Sequence, residues 1–307
     1  MACHISVQLC TFNRRELALQ CVNALGRVHF PPDACEIVVV DDGSTDHTAD
    51  ALEAAQMPMA LQVVRQPHRG LAAARNTGIR AARGEVVLFI DDDTISDANL
   101  LAEHWRLHQR HGRLVVMGWV RHGSGAALGP RLPRLADLST SFFWTSNVSV
   151  RRADLFAAGL FDEDFTEYGW EDLELGDRLR ALGLKRRRSW RAVVEHVKPS
   201  RRASDMPRII AQAEASGRSA VIYLTKRPGL RTRLTTGLTP ARRLVWRMLD
   251  GAEPWLHRAI DPDRDRMLGP SERIAAYLVG GIHYHRAARA AMGGRSATRD
   301  AKAGSTR

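Results

Sequence analysis

Over the first ninety residues the apolar positions alternate between two periods. Ile5–Cys10 predicts a strand, and Glu16–Leu25, with its apolar residues three and four apart, a helix. Glu36–Val40 predicts a second strand, and Thr45–Ala55 a helix with Ser44 or Thr45 as N-cap. Leu61–Val64 is a third strand and Leu71–Ala82 a third helix, with Gly84 as its C-cap glycine. Val86–Ile90 is continuously apolar, as expected of a strand covered by helices on both faces. Strand–helix alternation at this pitch predicts an α/β fold: a Rossmann-like, doubly wound, mostly parallel sheet.

Beyond residue 96 the pattern loosens. Residues 97–118 predict another helix and strand, and the Gly, Pro and Arg of 121–141 a mobile loop. Asn147–Val150 predicts a strand, Arg152–Ala157 a short helix, and Glu171–Leu182 a longer one ended by Gly183. After Pro199 the chain reads as helical segments broken at Pro207, Pro228, Pro240, Pro254 and Pro270. The expected division is therefore 1–200 for the α/β domain, 201–292 for a basic helical extension, and 293–307 for a small, polar, disordered tail.

Composition narrows the class. Of 307 residues 44% are hydrophobic and 26% charged, enough for one sizeable core or slightly more. Collagen-like, coiled-coil, repeat and wholly disordered designs are excluded. The longest uncharged apolar stretch, Ile274–Ile282, has nine residues, against roughly 20 for a membrane span. His4, Gln8 and Asn13 interrupt any apolar leader, so no secretory signal is expected. Cys3, Cys10, Cys21 and Cys35 lack metal spacing and read as buried small hydrophobes, which implies a reducing, cytoplasmic setting. Charge is uneven: residues 1–200 carry 24 Lys+Arg and 25 Asp+Glu, residues 201–307 carry 21 and 9. A solvated basic face accounts for this; peripheral contact with an anionic membrane, at its inner face, or with a polyanionic partner is the sharper alternative.

In a doubly wound sheet ligands bind beyond the carboxyl ends of the strands. Three polar clusters fall there: Thr11-Phe12-Asn13-Arg14, Asp41-Asp42-Gly43-Ser44 and Asp91-Asp92-Asp93. Three successive carboxylates repel one another unless a cation or donors compensate, and Asp91 and Asp93 point to one side of an extended chain. Such oxygens suit Mg²⁺ or Mn²⁺ on a diphosphate; a solvated acidic loop is the bland alternative. Asp41-Asp42-Gly43-Ser44 equally fits a tight turn. Arg75 follows the helix-opening Gly70 and could meet a diphosphate or a base. Trp170 beside Glu171 and Asp172 could stack on a sugar while a carboxylate takes a hydroxyl proton. A helix N-terminus lowers a carboxylate's pKa, so the pocket would have to oppose it. His196, after Val193-Val194-Glu195, is a candidate third metal ligand.

Taken in order, TFNR, VVVDDGSTDHT, GLAAARNTG, VVLFIDDDT and GWEDLELGDRL resemble the inverting family 2 glycosyltransferases of GT-A fold, across residues 3–200. The Gly-Trp-Glu-Asp stretch is most similar to the galactosyltransferase-like members. The resemblance implies that Thr11, Asn13, Asp41, Asp42, Arg75, Asp91 and Asp92 bind the nucleotide-sugar. It implies that Asp91, Asp93 and His196 hold Mn²⁺ or Mg²⁺, that Asp172 is the catalytic base, and that Trp170 and Glu171 meet the acceptor. The extra Asp92 leaves open which two of the three acids act. The implied reaction is a metal-dependent, inverting hexosyl transfer from a nucleotide diphosphate-sugar, a UDP-sugar foremost, to a saccharide or lipid-linked acceptor, under a lid at 121–141. The products would be polysaccharide, glycoconjugate or glycolipid. A nucleotidyltransferase or a dinucleotide oxidoreductase would carry a glycine-rich loop where Thr11–Arg14 stands. Nucleic acid is disfavoured for want of a binding motif. A non-catalytic nucleotide-sugar-binding or membrane-associated scaffold on the same fold is the alternative.

Overall fold

A computed structural model describes residues 3–123, 141–197, 202–260 and 266–304, with 294–304 as backbone only. Most of the loop expected at 121–141, and with it the lid, lies outside the described residues. The chain divides into two compact units, Met1–Thr166 with Glu171–Pro199, and Glu167–Trp170 with Ser200–Arg307.

In the first unit, β1 (Ile5–Thr11), α1 (Arg15–Leu25), β2 (Cys35–Asp41), α2 (Thr48–Glu53), β3 (Ala60–Arg65), α3 (Leu71–Ala81) and β4 (Val86–Ile90) follow the expected alternation. The pairings β1–β2, β2–β3 and β1–β4 are parallel. Next come β5 (Thr94–Ser96), α4 (Leu100–Arg110), β6 (Leu114–Gly123), β7 (Asn147–Arg151), α5 (Arg152–Ala157), α6 (Glu171–Ala181) and β8 (Lys185–Val197). Among the described residues the eight strands run β3-β2-β1-β4-β7-β6-β8-β5. The second half of the sheet is mixed: β7 is antiparallel to β4 and β6, and β5 to β8, while β6 and β8 are parallel. Strands β5 and β8 were not legible in the apolar pattern. The core is built from β1, β2, β4, α1 and α4, with Ile5, Leu9, Val22, Val39, Leu88 and Leu101 buried.

Two local expectations change. Helix α2 starts at Thr48, and its first turn is held by Asp46, whose carboxylate accepts the Thr48 N–H at 3.1 Å. Ser44 and Thr45 instead face Asn13. Gly84 is not a helix cap, because α3 ends at Ala81. A Cβ there would lie 2.4 Å from Ser6 N, so glycine is required by the closeness of β1.

A polar network is buried beneath the mixed half of the sheet. At Gly118 the β6–β8 register shifts, and a Cβ would collide with the Asn147 amide at 2.2 Å. That amide donates to Ala192 O at 3.0 Å and Trp119 O at 3.3 Å. His104 Nε2 meets Asn147 Oδ1 at 2.9 Å and His104 Nδ1 meets Ser149 Oγ at 2.7 Å, while His108 Nε2 reaches the same hydroxyl at 2.8 Å. Burial pushes His104 down to about 4 and His108 down to about 3. At these two rings the unfolded chain therefore takes up protons below about pH 6.5 that the native chain refuses, and their contribution to stability should fall with pH from there to about pH 4, by on the order of 3 kcal/mol for His104 alone. Urea unfolding of the native protein and of His104→Gln at a series of pH values checks this: the difference between the two should change through that window, and a difference independent of pH would show that the ring is not buried neutral.

The second unit is helical: α7 (Met206–Lys226), α8 (Leu230–Thr236), α9 (Pro240–Leu249), α10 (Glu253–Ala259) and α11 (Pro270–Gly304). Pro207, Pro240, Pro254 and Pro270 stand in first turns, where the missing N–H is no loss, so they start helices here rather than break them. Ala276, Val279 and Ile282 of α11 form a core with Met206, Leu256 and Leu268. Helix α11 continues to Gly304, through residues that the sequence assigns to a tail; its Ala, Arg and Lys are good helix formers. No helix among the described residues is long and apolar enough to cross a membrane. All four cysteines are free, Cys21 and Cys35 buried.

Candidate active site

The parallel strands β1 and β2 end side by side, with Thr11 opposite Asp41. Asp41 Oδ1 accepts the N–H groups of Gly43 at 3.0 Å and Ser44 at 2.7 Å, which fixes the turn. Asp41 Oδ2 is buried without a partner. Thr11 Oγ1 is near enough to Asp92 to be felt by its carboxylate, yet makes no well-formed hydrogen bond. Two unsatisfied polar atoms at adjacent strand ends are the kind of group a ligand completes.

Asp42 differs, because its carboxylate is saturated within the protein. Oδ1 accepts from Gln66 Nε2 at 2.6 Å and Arg69 N at 3.0 Å, and Oδ2 from Gly70 N at 3.0 Å, with His68 Nδ1 at 2.9 Å. It ties the 66–70 loop to the start of α3, where the sequence expects a nucleoside contact. Asn13, in the left-handed region at φ 52°, also bonds within the protein: its N–H donates to Ser44 Oγ and its Oδ1 accepts from Thr45 N, both at 2.8 Å. It links the two loops.

The three aspartates after β4 separate by function of place. Pairing of β5 with β8 sets Thr94 opposite His196 and carries the imidazole to the acids. His196 Nε2 lies 3.0 Å from Asp93 Oδ1 and 3.7 Å from Asp91 Oδ2. One atom each from Asp91, Asp93 and His196 falls within 4.8 Å of the others, close enough to share a cation. Asp92 turns away to Arg14, whose Nη1 donates to Asp92 Oδ1 at 2.9 Å and to Asp93 Oδ2 at 3.2 Å. Burial pushes Asp92 up to about 6. Burial also opposes ionisation of Asp91, but its bonds from His196 and Ser146 prevail and its pKa is lowered. Bonds to Asp91 and Asp93, against burial, lift His196 to about 9. The Ser146 hydroxyl donates to Asp91 Oδ2 at 2.5 Å.

At the start of α6 the structure joins two residues expected on different ligands. Arg75 Nη1 donates to Glu171 Oε1 at 2.5 Å, and its Nη2 to Thr145 Oγ1 at 2.6 Å. Arg75, expected on the diphosphate or base, and Glu171, expected on the acceptor, thus hold each other in a buried pair, and Glu171 Oε2 is left without a partner. Asp172 is buried, with Oδ1 accepting its own helix's Leu173 N–H at 2.7 Å. Burial first, and Glu171 second, raise its pKa to about 7, despite Arg75. Desolvation thus outweighs the helix N-terminus that would hold it low. The Asp172 carboxylate also feels Asp91, so base candidate and acid cluster share one electrostatic environment. Trp170 precedes them at φ 76°, strained for so bulky a residue. Within the second unit its indole N–H donates to Ser216 O at 2.9 Å and its ring stacks near Tyr223.

Sequence reading placed Arg14 at the ligand edge without a role and passed over Thr145 and Ser146; the three hold Asp92, Arg75 and Asp91. Their partners lie 78, 70 and 55 residues away in sequence, beyond any local motif.

Comparison with known proteins gives a consistent picture. The profile described as Glycosyl transferase family 2 matches residues 6–159. A Validoxylamine A glucosyltransferase of Streptomyces hygroscopicus subsp. limoneus is 32% identical over 234 residues, covering 62% of this chain and 52% of its own. The chain spans about half the length of the first curated relatives it matches. Among solved structures, mannosyltransferase PcManGT from Pyrobaculum calidifontis, in complex with GDP-Man and Mn²⁺, is similar with a TM-score of 0.63 and 18% identity, over 94% of this chain and 87% of that one. S. aureus TarS 1-349 in complex with UDP-GlcNAc is similar with a TM-score of 0.53 and 18% identity, over 95% and 92%. The fold is that of GT-A glycosyltransferases, with a helical C-terminal region.

Proposed function

Because the chain belongs to glycosyl transferase family 2, we propose that it transfers a hexosyl group from a nucleoside diphosphate-sugar to an acceptor hydroxyl, with inversion and with a divalent cation. One observation carries this reading: Asp91, Asp93 and His196 bring one ligand atom each within 4.8 Å of the others just beyond β4, and the buried carboxylate of Asp172, its pKa raised by burial, lies near enough to feel Asp91. A general base is most effective with a pKa near the working pH.

The parts take these roles. Thr11 Oγ1 and Asp41 Oδ2 receive the nucleoside. Asp91, Asp93 and His196 would hold the cation; two carboxylates and one imidazole favour Mn²⁺ over Mg²⁺, which prefers oxygen alone. A bound cation would supply charge neutralisation for the diphosphate. Asp172 accepts the proton of the acceptor hydroxyl, whose oxygen attacks the anomeric carbon from the face opposite the departing diphosphate. Arg75 fixes Glu171 and keeps a positive charge beside the base. Two similar structures were solved with nucleotide-sugars, GDP-Man and UDP-GlcNAc, which supports a donor of this class; a UDP-sugar is the first choice, and the acceptor is a saccharide or a lipid-linked glycan.

Nucleoside diphosphate release from UDP-, GDP- and dTDP-sugars, with Mn²⁺, Mg²⁺ or EDTA, tests the reading. Metal-dependent turnover of one donor is expected. If no donor binds by calorimetry under any metal, the catalytic reading fails.

A further inference from the structure

We infer that α8, α9 and α10 form a docking face that beds shallowly into the surface of an anionic lipid bilayer. The observation is an inversion of the usual pattern on three successive helices, and it is independent of the glycosyl-transfer reading.

Helix α9 has no buried residue. Its inner side is set by Trp246 and Leu249, which pack on the core around α11; a Cβ at Gly281 would strike the Trp246 ring. At 100° per residue, Ala241, Leu244, Val245 and Met248 lie on an arc of roughly 100° on the opposite side. All four are exposed, Met248 at 76%. A surface helix normally turns its polar arc outward; here the outward arc is apolar. Helix α8 repeats the inversion: Thr232 and Thr236 are buried, with the Thr236 hydroxyl bonded to Thr232 O, while Leu230 is 70% and Leu234 59% exposed. On α10 Leu256 is buried and Trp255 is 69% exposed.

Charge selects the occupant. Exposed Arg242, Arg247 and Arg258 are interleaved with these apolar side chains, and residues 201–307 carry 21 Lys+Arg against 9 Asp+Glu. Guanidinium groups bind phosphate through paired N–H donors. Apolar residues with Trp and Arg at their flanks match the boundary between lipid headgroups and acyl chains. A second copy of the chain fits poorly, because a two-fold interface would set the same arginine-bearing patch against itself.

The test is sedimentation of the full chain with phosphatidylcholine vesicles, with and without phosphatidylglycerol. Binding is expected with phosphatidylglycerol and to be weakened by salt. Leu244→Glu combined with Met248→Glu should lower partitioning by about tenfold or more, and Trp255→Ser should weaken it too. Arg247→Glu should weaken it less and flatten the salt dependence. Because these side chains are exposed, circular dichroism and the thermal midpoint should stay at native values. Failure to bind phosphatidylglycerol vesicles would overturn the proposal, as would binding unchanged by the Leu244 and Met248 substitutions. A native dimer in analytical ultracentrifugation that the same substitutions dissociate would assign the face to self-association instead.

Discussion

Replacing Asp172 with Asn is expected to lower kcat between about a hundredfold and ten-thousandfold, with donor affinity within about twofold of native. Asn keeps the size of the side chain and can still accept the Leu173 N–H bond that Asp172 Oδ1 accepts at 2.7 Å, so the loss falls on proton transfer. The native pH–rate profile should have an acid limb near pH 7, since burial and Glu171 raise Asp172 to about 7, and the limb should vanish in the variant. Stability should move the other way. An unfolded Asp ionises near pH 4 but the native one only near pH 7, so between those values the native chain holds more protons. Ionised Asp172 therefore costs stability above that window, by on the order of 4 kcal/mol at most. Asp172→Asn should be inactive yet melt higher than native at pH 8 or so, a trade expected of a destabilised catalytic group. A variant keeping more than about a tenth of native kcat, or keeping the acid limb, would place the base elsewhere.

The first half of the sheet was legible because it obeys one rule: apolar strands under helices, with polar residues at their carboxyl ends. Thr11, Asp41 and the three aspartates stand where that rule puts them. Strand β8 was hidden because Lys185–Arg191 reads as a charged run, and because the register shift against β6 breaks its alternation. Missing β8 also removed the reason for His196 to meet Asp93, since β5 and β8 are 89 residues apart even at their nearest ends, Ser96 and Lys185, and only their pairing brings the groups together. Asp42 and Asn13 show a different limit of sequence reading. Motif position shows that a polar residue lies at the ligand edge, but only bonding shows whether its atoms are already occupied. Asp41 keeps a vacant oxygen and Asp42 does not.

The same distinction decides among the three aspartates. Asp93→Asn, Asp91→Asn and His196→Ala are each expected to lower metal-dependent turnover by about a hundredfold or more, because a cation at this site is worth several kcal/mol to a departing diphosphate. Asp92→Asn should cost less than about tenfold. Its carboxylate faces Arg14 rather than His196, so replacing it takes no ligand from the site where Asp91, Asp93 and His196 converge. Arg14 keeps a second acceptor in Asp93 at 3.2 Å. Turnover alone would not separate lost metal from a damaged fold, so Mn²⁺ binding should be followed by electron paramagnetic resonance on the same proteins. The three ligand variants should leave Mn²⁺ free at concentrations where native protein and Asp92→Asn bind it. If Asp92→Asn loses Mn²⁺ while Asp93→Asn retains it, the cation sits between Asp91 and Asp92, His196 is only a counter-ion of Asp93, and the roles drawn from this geometry are reversed.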